Sequence, residues 1–220
     1  MKELIENTKE FVKQELLGET TGHDYWHSLQ VWKNAKNIAK DMQNVDVEII
    51  ELTCLLHDIG DWKFHNGETQ KQNQVKEFLE SQNIEESKIN HILEIIENLA
   101  FKGPKAEKIK LSAEGQIVQD ADRLEALGAI GIARAFASGQ RFGQEIYNSD
   151  IKLLMNADEK EYKKQYTGER KNTSINHFYE KLLLVADQMN TEKAKKLAFE
   201  RKKFMELYLK QFFDEWEGKK

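Results

Sequence analysis

Apolar positions recur at helical spacing along most of the chain, and no stretch shows the strict alternation of a half-buried strand. Residues 2–17 place Leu4, Ile5, Phe11, Val12, Leu16 and Leu17 near one helical face, with Gly18 as a stop. Asp24 caps a predicted helix running to about Met42, with Trp26, Leu29, Val31, Ile38 and Ala39 inward. Asp46 caps the next, whose Ile49, Ile50, Leu52, Leu55, Leu56 and Ile59 make it apolar nearly all round and therefore central. Further helices are expected around Val75, Phe78 and Leu79, from about Glu85 to Asn98, and from Ser112 to Ser138 with a break near Gly128 or Gly131. Gly103-Pro104 marks a loop. Residues 139–172 are polar and poorly periodic, which reads as a long insertion or lid. Two more helices follow from Thr173, the last running from about Thr191 to Trp216. The expected class is all-α, a helical bundle with additional C-terminal helices.

Composition narrows this picture. At 220 residues, with no repeat and no low-complexity run, the chain reads as one domain, 1–220. A core at about 20–138 would have helices at about 173–217 packed on it. Charged residues are 32% and apolar ones 40%, a balance that suits a packed helical core and not disorder. The 33 Lys+Arg against 38 Asp+Glu give a net charge of −5, without the basic field that a nucleic-acid polymer demands. Cys54, the one cysteine, lies in an apolar run and reads as a small core residue; it forms no intrachain disulfide, which fits a reducing cytoplasm. Residues 1–18 carry acidic groups throughout and no long apolar run, so neither a signal peptide nor a membrane span is expected, and the location is read as cytoplasmic. Phe204, Met205, Leu207, Tyr208, Leu209, Phe212, Phe213 and Trp216 have two readings, packing back on the core or forming a homodimer surface.

The chemistry begins at His57-Asp58, an ionisable pair in an otherwise apolar helix. Burying a carboxylate beside an imidazole is costly unless a cation or hydrogen bonds compensate it. Two more sites change how the pair reads. One is His27, at the start of an amphipathic helix in Gly22-His23-Asp24-Tyr25-Trp26-His27; the other is the acidic phrase Gln119-Asp120-Ala121-Asp122-Arg123-Leu124-Glu125. Two imidazoles and two carboxylates from three helices would make a mixed nitrogen–oxygen site for Mn, Fe, Ni, Co, Zn or Mg. Asp120 and Asp122 cannot both face one ion, because two residues turn a regular helix by about 200°. Asp61 follows His57 by four residues and Asp58 by three, so on a continuous helix all three share a face.

The order His, His-Asp, Asp resembles the HD-domain metal-dependent phosphohydrolase superfamily. The phrases Gly22–His27, Leu55–Asp61, Glu97–Gly103, Gln119–Gly128 and Asn176–Leu183 resemble one bacterial single-domain branch of it, similar to nucleotide pyrophosphohydrolases. The resemblance implies His27, His57 and Asp58 as metal ligands. It also favours Asp122, in an Ala-Asp-x-Leu phrase, over Asp120 as the fourth. Asp120 and His23 would then support the ligands from behind, Asp120 reading equally as a helix-start acid. Asp58 and Asp61 are the implied catalytic carboxylates, Asp61 as general acid/base. Lys63, His65, Lys102, Lys105, Arg123 and His177 are candidates for substrate phosphates, and His91 reads as structural.

Gln30 departs from the branch, which often has Arg there. Glu97-Asn98-Leu99-Ala100 lacks the added histidines of binuclear members, which implies one divalent ion, manganese foremost, and disfavours an HD-type oxygenase. Gly60-Asp61-Trp62 lacks the Glu-Asp pair of guanosine-tetraphosphate hydrolases. The expected function is hydrolysis of a phosphoester or phosphoanhydride in a small molecule by metal-activated water. A nucleoside or deoxynucleoside triphosphate cleaved to monophosphate and pyrophosphate is the first choice. The alternatives are a nucleotidase or phosphodiesterase of different substrate, and a non-catalytic nucleotide- or metabolite-binding protein.

Overall fold

The structure of the chain is a computed structural model describing residues 1–18, 23–60, 71–101, 109–155 and 157–220, and of residues 71 and 72 the backbone only. In chain order the helices are α1 (Lys2–Glu15), α2 (Tyr25–Ala39), α3 (Val47–Leu56), α4 (Lys71–Ser81), α5 (Glu86–Asn98), α6 (Ala113–Glu125), α7 (Gly128–Arg141), α8 (Glu159–Thr167), α9 (Ser174–His177), α10 (Leu183–Ala186) and α11 (Glu192–Trp216). A π-helical stretch, Phe178–Leu182, joins α9 to α10. The fold class is all-α: among the described residues the only extended pairing is an isolated bridge between Glu145 and Thr173.

Side-chain caps fix where the main helices begin. Asp24 accepts from the His27 amide at 2.9 Å to start α2. Asp46 accepts from the Glu48 and Ile49 amides at 2.9 and 3.3 Å to start α3. Asp158, Thr173 and Thr191 do the same for α8, α9 and α11. Each satisfies amides that a helix start leaves orphaned, at about 1 kcal/mol apiece.

The described residues divide into two compact units, one from Met1 to Asp122 and the other from Arg123 to Lys220. In the first, α3 is central: α1, α2 and α5 pack on it, α4 packs on α5, and every α3 residue from Ile49 to Leu56 is buried. Fully burying each of its large aliphatic side chains contributes about 1.5–3 kcal/mol. The one acid in that run, Glu51, accepts from the Trp32 indole at 3.1 Å and pairs with Lys36 at 3.6 Å.

In the second unit α7 packs on α9 and α11, and α10 packs on α11. Leu154, Arg170 and Asn172 are tied to the π-helical stretch through buried Glu180. It receives a forked pair of bonds from Arg170 at 3.1 and 2.8 Å, the Asn172 amide group at 3.0 Å and the Leu154 backbone N–H at 2.8 Å.

Several expectations change. Trp26 is 67% exposed, because the buried stripe of α2 runs through His27, Val31, Ala35 and Ile38 and Trp26 lies about 100° off His27. The apolar helix stops at Leu56, so His57 and Asp58 follow its end instead of lying inside it. The break expected near Gly128 or Gly131 in Ser112–Ser138 is found at Leu127-Gly128, which parts α6 from α7. Residues 139–172 are no bare loop: they hold the end of α7, all of α8, and buried Tyr162, Gln165 and Asn172. No helix among the described residues is long and apolar enough to cross a membrane.

Candidate metal centre

His27 is set by the start of α2. Its backbone N–H is held by the Asp24 cap, and its ring lies on the buried stripe of the helix. His57 is set by the end of α3, where its Nδ1 lies 2.9 Å from the Cys54 carbonyl oxygen. A carbonyl only accepts, so Nδ1 carries the proton and donates. In the neutral ring the Nε2 lone pair then points away from the helix. Asp58 comes next in the chain, and the backbone leaves helical geometry at Gly60, whose φ is +67°. Asp122 arrives on the last turn of α6.

Asp58 and Asp122 each lie close to both imidazoles. His27 Nε2 lies 3.2 Å from His57 Nε2, 3.3 Å from Asp58 Oδ2 and 3.4 Å from Asp122 Oδ1. His57 Nε2 lies 3.3 Å from Asp58 Oδ2 and 3.7 Å from Asp122 Oδ1. His27, His57 and Asp58 are buried, and the Asp122 side chain is 33% exposed.

Burial alone would raise the Asp58 carboxyl, but the His57 and His23 charges and hydrogen bonds from His23 and His27 hold it well below the ordinary carboxylate range. Burial likewise opposes ionisation of Asp122, and hydrogen bonds from His27 and His57, then their charges, outweigh it. Both acids are therefore anionic.

Anionic oxygens crowd two imidazole nitrogens; once His57 is deprotonated with its Nδ1–H held by the Cys54 carbonyl, its Nε2 would offer a lone pair to the same point. A divalent cation fits this donor set. Donors about 2.1 Å from a shared ion lie about 3.0–3.4 Å apart, close to the spacings found here.

Asp120 differs. It is fully buried, it is the eighth residue of α6 and so no helix-start acid, and it is absent from the donor groups that converge among the described residues. His23, expected to support the ligands, lies against Asp58. Its Nδ1 is 3.0 Å from Asp58 Oδ2, and with His27 and Asp58 it forms a second group of converging donors. The only sequence signal was its four-residue spacing from His27, and that spacing is not helical, because α2 begins at Tyr25. The orienting contact from Cys54 was not legible, since it uses the main chain and any residue there would supply it.

Asp61, Lys63, His65, Lys102 and Lys105 lie outside the described residues. The shared helix face expected for His57, Asp58 and Asp61 lies in part outside the described residues, because Asp61 is not among them. Arg123 donates to the Gln188 carbonyl at 2.6 Å. His177 ends α9 in the second unit, half-buried. His91 bonds the Ser112 hydroxyl at 2.9 Å.

An all-helical scaffold brings two imidazoles and two carboxylates from α2, the end of α3 and α6 into a carboxylate–imidazole cluster that could hold a metal ion. The HD domain family matches residues 25–127, a span that contains all four residues. The chain belongs to the HD-domain phosphohydrolase superfamily. Bacillus subtilis YpgQ is 32% identical over 214 residues, which cover 96% of this chain and 94% of that one. A crystal structure of YpgQ in complex with ADP aligns with a TM-score of 0.75 at 31% identity, over 97% of this chain and 95% of that one. A protein from Lactobacillus plantarum aligns with a TM-score of 0.86 at 33% identity over 99% and 98% of the two chains. An HD-superfamily hydrolase from Bacillus thuringiensis aligns with a TM-score of 0.72 at 38% identity, over the same shares.

Proposed function

We propose that the chain is a metal-dependent hydrolase of nucleotides, with nucleoside and deoxynucleoside triphosphates cleaved to monophosphate and pyrophosphate as the first substrates to try. The closeness of Asp58 and Asp122, each 3.3–3.7 Å from both His27 and His57, with the two imidazoles 3.2 Å apart, carries the reading. The ADP bound to YpgQ supports a nucleotide substrate.

In this reading His27, His57, Asp58 and Asp122 hold one divalent ion, with manganese the first choice and Mg, Fe, Ni, Co or Zn the others. When bound, such an ion supplies Lewis-acid charge and lowers the pKa of water. The chain's own residues do the rest. The Cys54 carbonyl fixes the His57 tautomer, so that Nε2 faces the cluster. His23 holds the Asp58 carboxylate, and Asp120 supports α6 from its buried side. Asp61 takes the proton of the attacking water as its oxygen bonds to the α-phosphorus; the bridging P–O bond breaks and pyrophosphate leaves with the electron pair. Lys63, His65, Lys102, Lys105, Arg123 and His177 are the groups assigned to phosphate charge.

The test is turnover of a nucleotide panel with added Mn²⁺, with and without chelator, in the wild-type chain and in Asp58→Ala. Release of pyrophosphate that disappears with chelator and in Asp58→Ala is expected. Tight nucleotide binding without turnover of any phosphate ester would make the chain a sensor, and full activity in Asp58→Ala would overturn the assignment.

A further inference from the structure

The carboxyl end of α6, three residues beyond Asp122, is held by more side chains than a surface helix end needs. The last four carbonyls of a helix have no N–H of their own to accept from. Here the Leu124 carbonyl accepts the Leu127 N–H at 3.1 Å and also the guanidinium of Arg201, which reaches it from α11. Glu125 is buried and lies 3.9 Å from Arg134, and its charge also acts on Arg201. The chain is shaped to admit Arg201. Gly128 turns the backbone at φ +74°, and a Cβ there would stand 3.1 Å from Arg201 Cγ. A side chain at 128 would thus compete with the Arg201 stem for space.

We propose that Arg201 is a positioning residue for the metal centre. Its guanidinium caps the carboxyl end of α6 and fixes how that helix presents Asp122, two residues before the capped carbonyl. A cation at a helix C-terminus is favoured by the dipole, and a forked, planar donor fixes direction as well as charge. Metal centres tolerate only about 0.5 Å of error in their ligands, so a loosened last turn costs affinity first at the ligand it carries. The inference rests on the metal-binding reading above.

The experiment is calorimetric titration of Mn²⁺ into metal-free protein well below its unfolding temperature. The chains compared are wild type, Arg201→Met, Arg201→Lys and, as a destabilised control away from α6, Glu180→Gln. Arg201→Met keeps the stem and loses the guanidinium; it should bind Mn²⁺ about tenfold or more weakly, with Arg201→Lys in between and Glu180→Gln at wild-type affinity. Folded Arg201→Met within about twofold of wild type would overturn the proposal, and so would an equal loss in Glu180→Gln. If Arg201→Met does not fold, Arg201→Lys carries the test: about threefold weaker binding supports the positioning role, and wild-type affinity overturns it. Absence of any Mn²⁺ binding by the wild type would remove the metal centre itself, and this proposal with it.

Discussion

His57 shows how single residues are committed by their surroundings. One ring nitrogen is spent on the Cys54 carbonyl, so the other faces His27, Asp58 and Asp122. The residue types at this centre were legible, because acids and imidazoles inside apolar runs need a reason. Their exact company was not. Trp26 looked like a core residue by type, and helix phase turned it outward. His23, expected to support the ligands, lies 3.0 Å from Asp58 Oδ2. Cys54 bears on chemistry only through its carbonyl. Burial, then the charges of Asp122 and Glu51, push its thiol well above the ordinary range, and a buried protonated thiol is a poor nucleophile. In native protein Cys54 should resist alkylation and react only on unfolding, as mass spectrometry across a denaturant series would show. Rapid labelling of the folded chain would contradict the burial described here.

At the scale of elements, caps and buried pairs set stability. Burial would raise the Asp46 carboxyl. The Lys88 hydrogen bond, the Ile49 amide, the Lys88 charge and the Glu48 amide together pull it below its ordinary value of 3.8. A carboxyl depressed by folding contributes stability above its unfolded value and loses it as pH falls through the folded one. Asp46→Ala should therefore destabilise the chain by about 0.5–2 kcal/mol at neutral pH. The gap should close below pH 3.8, in thermal melts taken from neutral to acid. A gap that persisted in acid would point to packing instead of the cap.

Glu180 works differently. Removing one partner of its buried pair with Arg170 leaves an uncompensated charge, so Glu180→Ala should cost about 3–5 kcal/mol in denaturant melts. A loss under about 1 kcal/mol would mean that the pair behaves as a surface pair. Neither this pair nor α8 was readable in advance. The α8 sequence from Glu159 to Thr167 holds no apolar stripe, only Tyr162 and Gln165 turn inward, and Arg170 and Glu180 are ten positions apart. Helical periodicity carries no signal when the buried contacts are polar.

For the whole molecule, the all-α class was legible because the large helices bury apolar stripes, and the central place of α3 follows from its lack of a polar face. The break between α6 and α7 was legible only as a choice of glycines. Gly128 takes it, at positive φ, while Gly131 continues the helix. The choice between Asp120 and Asp122 could be framed from helix rotation but not made by it. In the structure Asp122 faces His27 and His57, and Asp120 is sealed in the interior.

One measurement tests the centre most directly: the stoichiometry and affinity of Mn²⁺ for the metal-free chain, compared with Asp122→Asn and Asp120→Asn. The expected result is one ion per chain, with affinity lowered by about tenfold or more in Asp122→Asn. Asp120→Asn should lose stability, by about 1–3 kcal/mol for a disturbed buried polar group, while keeping its metal. Wild-type affinity in Asp122→Asn, or loss of the ion in Asp120→Asn alone, would contradict the four-residue centre.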